Sequence, residues 1–180
     1  MKILVSVFNN LYTDQRVEKF CKTLHENAYQ IEVIGNNWGG NPEMQRPYPF
    51  SRISLQSKKL RFAYLEFQWK LFLVLLKKAD RNTILHANDL DALLPNYLVS
   101  KIKGIPLVWD SHEIFTEMPT VTNRWVQHVW RLLENALIRK IKYFITANDS
   151  YANWFETNYK IKRPIVIRNF PQKSEPPKNF

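Results

Sequence analysis

The chain has 180 residues, 45% of them hydrophobic, a net charge of +10 and a single cysteine. That length and apolar content suit one folded domain with a sizeable core. One cysteine excludes an intrachain disulfide framework and a multi-cysteine metal site, and it fits a reducing compartment. The most apolar run, LFLVLL at 71–76, is flanked by Lys70, Lys77 and Lys78 and is far short of the about 20 residues that cross a bilayer. The opening MKILVSVFNNLYTD lacks the layout of a secretory leader, so a cytoplasmic protein is expected.

The elements alternate from the start. KILVSVF (2–8) is a short apolar, β-branched run that reads as a buried strand, and NNLYTD follows as a turn. Asp14 is placed to cap the helix QRVEKFCKTLHENA (15–28), whose Val17, Phe20, Cys21 and Leu24 share one face. Cys21 reads as a core thiol. QIEVIG (30–35) is a second strand, and strand–helix–strand from residue 2 is the opening of a parallel sheet. NNWGGNPEMQRPYP (36–49) is a loop and RISL (52–55) a short third strand. The helix at 62–78 is apolar on more than one face, so it is expected to pack on several sides, against the sheet or a partner domain.

TILHA (83–87) is the next strand, followed by a helix at 91–103 with Pro95 in its first turn and a strand IPLVWD at 105–110. The stretch 122–141 reads as a long amphipathic helix with Trp125, Val129, Leu132, Leu133 and Ala136 as its apolar residues. YFITAN (143–148) is a strand, 149–159 a helix capped by Asp149 or Ser150, and PIVIRNF (164–170) a last strand. PQKSEPPKNF (171–180) is a linker or tail. About seven strands alternating with helices predict an α/β fold: a Rossmann-like, doubly wound, mainly parallel sheet with helices on both faces. An eightfold barrel needs about 250 residues.

In such a sheet ligands bind beyond the carboxyl ends of the strands, which directs attention to HANDLDALLP (86–95) and VWDSHE (108–113). His112 follows a strand directly, between Asp110 and Glu113. An imidazole there donates to a phosphate or sugar oxygen, and a neighbouring carboxylate can orient it. His86, Asn88 and Asp89 form a second cluster, with a turn-and-cap role as the alternative for Asn88 and Asp89. In the first loop Asp14 and Arg16 are candidates for substrate contact by side chain. That loop carries no GxGxxG and no GxxxxGK[ST], which argues against a usual dinucleotide site and a P-loop. The histidines match no standard metal spacing, so no metal is expected. Trp38 in WGG (38–40) belongs either to a turn or to a sugar-stacking wall. Residues 139–180 hold nine Lys/Arg against three Asp/Glu. That points to an anionic membrane face or a phosphorylated substrate rather than nucleic acid, for which no binding motif is present.

Several segments in order resemble the N-terminal, acceptor-side domain of a family 4, GT-B type glycosyltransferase. They are TDQRVEKFCKTLHENAYQIEVIG (13–35), ILHANDLDALLPNYLVSKIKGIPLVWDSHE (84–113), LLENALIRK (132–140), ITANDSYANWF (145–155) and IVIRNFP (165–171). The first loop departs from the pattern in lacking paired glycines. The resemblance implies that 1–170 is one Rossmann-like domain and that 171–180 leads toward a C-terminal donor-binding domain outside these residues. It implies transfer of a sugar from an NDP-sugar co-substrate, held mainly by that second domain, to a sugar or lipid-linked acceptor hydroxyl. This half alone is then expected to be inactive and to bind no cofactor itself. It implies that His112 lies beside the transferred sugar, that Asp89 is near the cleft, that Asp14 and Arg16 are close to the interdomain site, and that Glu134 is structural. A peripheral place on the inner face of the plasma membrane suits the basic surface. A non-catalytic Rossmann-like binding or assembly domain, and a GT-B type sugar-nucleotide epimerase, are the alternatives.

Overall fold

The computed structural model describes residues 1–40 and 42–170; the expected linker at 171–180 lies outside them. Seven strands form one sheet: β1 (Lys2–Asn10), β2 (Gln30–Asn36), β3 (Phe50–Ile53), β4 (Thr83–Asn88), β5 (Leu107–Ser111), β6 (Tyr143–Thr146) and β7 (Ile165–Val166). Their order is β3-β2-β1-β4-β5-β6-β7, and every pairing is parallel. Five α-helices connect them: α1 (Gln15–Glu26), α2 (Leu60–Lys78), α3 (Asp89–Lys103), α4 (Trp125–Leu137) and α5 (Asp149–Tyr159). This is the Rossmann-like, doubly wound α/β fold.

The period of a strand divides the core in two. Ile3, Val5 and Val7 of β1 pack with Val17 and Cys21 of α1 on one face. Leu4 and Phe8 point to the other, where α2, α3, α4 and α5 all contribute. The chain moves outward from β1 in both directions, to β2 on one side and to β4 on the other, so the winding reverses between β1 and β4. That is where an open α/β sheet leaves a crevice at its carboxyl edge.

Local signals set most boundaries. The Asp14 side chain accepts from the Val17 amide at 3.0 Å and begins α1. Gly104 ends α3 in the left-handed conformation that lacks a Cβ penalty. Cys21 is a buried free thiol, pushed up to about 12 chiefly by burial, and is therefore inert.

Three expectations are corrected. The cap of α5 is Asn148, whose side chain accepts from the Tyr151 amide at 2.8 Å, while Asp149 pairs with Arg163 and Arg168. Because α3 begins at Asp89, Pro95 sits beyond its first turn and costs the helix one bond. In α4 the inward residues are Gln127, Trp130, Glu134 and Leu137, and Trp125, Val129, Leu132 and Ala136 face solvent. The polar pair turns inward because it finds partners there: Gln127 Nε2 donates to the Thr116 carbonyl at 2.8 Å, and Glu134 accepts from the Tyr159 hydroxyl. As its composition led us to expect, α2 packs on more than one side: Ala63, Phe67, Leu71 and Leu75 are buried, Tyr64, Phe72, Val74 and Leu76 are partly buried against the core, and the helix meets both the sheet and α3.

Candidate functional site

The carboxyl ends of β4 and β5 and the first turn of α1 bring four of the candidate side chains together. Arg16 projects from α1 and its Nη2 lies 2.9 Å from Asp110 Oδ1 at the end of β5, a contact between residues 94 apart in sequence. His112 lies just beyond β5, with Nδ1 at 3.3 Å from Asp89 Oδ2 and Nε2 at 3.5 Å from Asp110 Oδ2. The other oxygen of Asp89 accepts from the His112 backbone amide at 2.8 Å. Asp89 therefore holds both the backbone and the ring of His112, and the ring is bracketed by two carboxylates.

This arrangement is strained at one point. Asp89 has φ +59, in the left-handed region that a non-glycine residue enters at a cost. From this conformation Asp89 makes both contacts to His112. Downstream, the Ser111 hydroxyl donates to the Glu113 carbonyl at 2.7 Å and Thr146 Oγ1 donates to the Ser111 carbonyl at 3.0 Å, fixing the loop that carries His112.

The electrostatics follow from burial and partners. Burial works against a charged His112, but the carboxylates of Asp89 and Asp110 outweigh it and raise its pKa above the ordinary imidazole value. Burial likewise opposes ionisation of Asp110, yet His112 and Arg16 hold its pKa below the usual carboxylate range. Burial dominates at Asp89, whose pKa is pushed up to about 6 with His112 opposing. The carboxylates thus favour the charged form of His112, which with the Arg16 guanidinium faces Asp89 and Asp110.

The remaining candidates lie outside this cluster. His86 is buried, stacked on Phe20 with ring centroids 4.4 Å apart, and burial drives its pKa down to about 4; it is a neutral ring under α1. Asn88 Nδ2 donates to the Ser6 carbonyl at 3.1 Å and ties β4 to β1. Asp14 is occupied by its cap and by Asn9 Nδ2 at 2.8 Å. Glu113 is half-buried, and its charge acts on Asp89, Asp91 and Tyr64. Trp38 belongs to the turn at Gly39 and Gly40, both at positive φ, and leans on the core.

Two groups near the site had no clear signal in the sequence. Asp91, two residues after Asp89, is buried, and burial raises its pKa well above the ordinary value. Tyr64 arrives from α2, and only the packing of α2 over the carboxyl edge brings it near Asp89 and Asp91. A groove of about 370 Å³ runs from Arg16 and Asp110 along Lys19 and Phe20 to Arg168 and Asn169. Its cations give it a positive lining. Among the described residues no three His, Cys, Asp or Glu side chains converge as a metal ion would require.

The sequence matches the profile of Glycosyltransferase Family 4 over residues 14–170. The chain belongs to this glycosyltransferase family. No curated protein matches the sequence. Among solved structures it is similar to sucrose-phosphate synthase from Thermosynechococcus elongatus (10% identity, TM-score 0.64, 93% of this chain and 47% of that one). It is similar also to Os79 from O. sativa, solved in complex with UDP (11% identity, TM-score 0.60, 90% and 51%). A third is UDP-GlcNAc 2-epimerase from Methanocaldococcus jannaschii (12% identity, TM-score 0.52, 93% and 45%). At these identities the likeness is one of fold: the family 4 chain has the N-terminal GT-B domain architecture, and it spans about half the length of these three proteins.

Proposed function

We propose that this chain is the acceptor-side half of a glycosyltransferase that moves a sugar from an NDP-sugar to an acceptor hydroxyl. The observation that carries the reading is the Arg16–Asp110–His112–Asp89 cluster, placed at the carboxyl edge of the central strands of a family 4 domain. In this reading residues 1–170 form the domain, and a second Rossmann-like domain outside these 180 residues supplies most of the contacts to the nucleotide. The half by itself is inactive, because stabilising a diphosphate leaving group takes donors from both sides of the cleft.

The acceptor oxygen bonds to the anomeric carbon as the bond from that carbon to the diphosphate breaks, negative charge grows on the diphosphate, and the departing diphosphate oxygen takes up the hydroxyl proton. His112 Nε2, which makes no hydrogen bond among the described residues, is the nitrogen available to the transferred sugar and its leaving group. Asp89 and Asp110 orient that ring and favour its charged form, and His112 and Arg16 favour the ionised form of Asp110. Glu113 and the rim of the cleft meet acceptor hydroxyls. The acceptor is a sugar or a lipid-linked sugar, and the enzyme works from the cytoplasm at the inner face of the plasma membrane. No helix among the described residues is long and apolar enough to cross a membrane.

The test is NDP-sugar turnover by the native product, whose intact mass shows whether a second βα domain is present. His112→Ala is expected to lower turnover by about 100-fold or more with the fold intact. Turnover unaffected by that change would refute the assigned role. Release of an epimer without transfer would move the protein to the epimerases, and a native product without turnover would leave a binding or assembly domain.

A further inference from the structure

At the amino edge of the sheet, at the other end of β5 from His112, three lysines converge on one pocket. Its walls come from the last turns of α3, the segment leading into β5 and the residues leading into β6, with Tyr97, Lys101, Lys140, Lys142 and Tyr143 among them. The pocket is about 160 Å³. It lies about 16 Å from the carboxyl edge, since β5 is five residues long and a strand rises about 3.3 Å per residue. It shares no residue with the cluster around His112 or with the groove beside Arg16.

Two tyrosine rings hold these cations. Tyr97 and Lys101 are one turn apart on α3, and the Lys101 ammonium lies 5.4 Å from the Tyr97 ring centroid. The Lys140 ammonium comes to 6.0 Å from the same ring. Lys142 Nζ stands 5.1 Å from the ring of Tyr143. The negative face of an aromatic ring attracts a cation, and Tyr97 is itself packed against the core. No Asp or Glu lines the pocket. None of the three lysines has an ion-pair partner among the described residues. The carboxyl end of α3 favours a cation at Lys101, but it gives no reason for Lys142, which leads into a strand. Like charges gathered without a carboxylate repel one another, and an anion placed among them turns that repulsion into attraction.

Size and charge say which anion fits. Pockets that enclose a drug-sized ligand start at about 300 Å³, so this one takes an ionic group and leaves the rest of the molecule at its mouth. An ammonium is a compact point charge with three donors. A phosphate monoester brings nearly two negative charges and three acceptor oxygens, so each lysine can meet an oxygen of its own. A carboxylate offers one charge and two oxygens. We propose that this pocket binds the phosphate group of a small soluble phosphate ester or diphosphate, with Lys101, Lys140 and Lys142 as its ligands. The charge is gathered in a recess rather than spread over a face, which suits one soluble phosphate and not a membrane surface. The site is separate from the sugar-transfer cleft and stands whether or not that reading does.

The experiment is an NMR titration of the full chain with sodium pyrophosphate, inorganic phosphate and sodium acetate at low ionic strength. The amide resonances of Ser100, Ile105 and Leu107 report on the pocket. Pyrophosphate is expected to shift them to saturation, phosphate to do so more weakly, and acetate to leave them in place. Lys140→Gln with Lys142→Gln is expected to weaken the pyrophosphate response about tenfold or more. Both positions are exposed, and an unchanged thermal melt certifies the fold. Lys19→Gln, in the groove beside Arg16, is expected to leave the response at these three amides unchanged. No shift with pyrophosphate, an equal shift with acetate, or a response at native strength in the double lysine variant overturns the proposal. So does capture of the chain by vesicles of phosphatidic acid in phosphatidylcholine without a response to the soluble phosphates, because a lipid headgroup would then be the source of the phosphate.

Discussion

Glu134 offers a quantitative check on the packing of α4. Its carboxyl is fully buried, accepts from the Tyr159 hydroxyl, and has its pKa pushed from 4.5 up to about 7, chiefly by burial. The folded protein therefore holds this proton more tightly than the unfolded chain does. Stability from the protonated form is fully present below pH 4.5 and is lost as pH rises through 7. A shift of that size corresponds to about 3 kcal/mol. Glu134→Gln keeps an acceptor for Tyr159 and cannot ionise, so it removes that loss. In urea unfolding the variant is expected to gain on the native chain as pH rises from about 4.5 to 8, by about 3 kcal/mol in total. With a urea slope of about 2 kcal/mol per molar, the midpoints separate by about 1.5 M more at the upper pH than at the lower. Asp89, Asp91 and His112 titrate in both proteins and cancel in the difference. A separation that stays constant with pH would refute the claim that Glu134 is buried in a dry contact with Tyr159.

Three further outcomes test the site and the sheet. Arg16→Met leaves the buried Asp110 with only His112 as a cationic partner, and urea unfolding is expected to show a loss of about 2–3 kcal/mol that Asp110→Asn in the same chain largely restores. Asp89→Asn removes the carboxylate that does most to raise the His112 pKa; the His112 ring resonances in an NMR titration are expected to move their midpoint to lower pH, and an unmoved midpoint would contradict the contact. Gly35→Ala places a Cβ 2.5 Å from Leu11 Cγ and 3.0 Å from the Asn9 carbonyl oxygen, so thermal melting is expected to show a loss of about 1–3 kcal/mol.

The alternation of apolar runs with helical periods, legible residue by residue, determined the parallel α/β sheet and put His112, Asp110 and Asp89 at its carboxyl edge, because a strand's end and the loop after it are local features. The Asp14 cap was equally local. The sequence could not show that Arg16 reaches Asp110, since two residues 94 apart meet only through the pairing of β1 with β4 and β4 with β5. Nor could it show that His86 and Asn88, adjacent to Asp89, serve the core: the stack on Phe20 and the bond to Ser6 come from other elements. Hydrophobic pattern misassigned the face of α4 for a related reason. In α4 the inward polar residues are matched by Thr116 and Tyr159, and α2 is apolar on both sides, so its composition does not choose which stripe is buried. Burial is decided by what a side chain finds opposite it, and that partner is supplied by the tertiary structure.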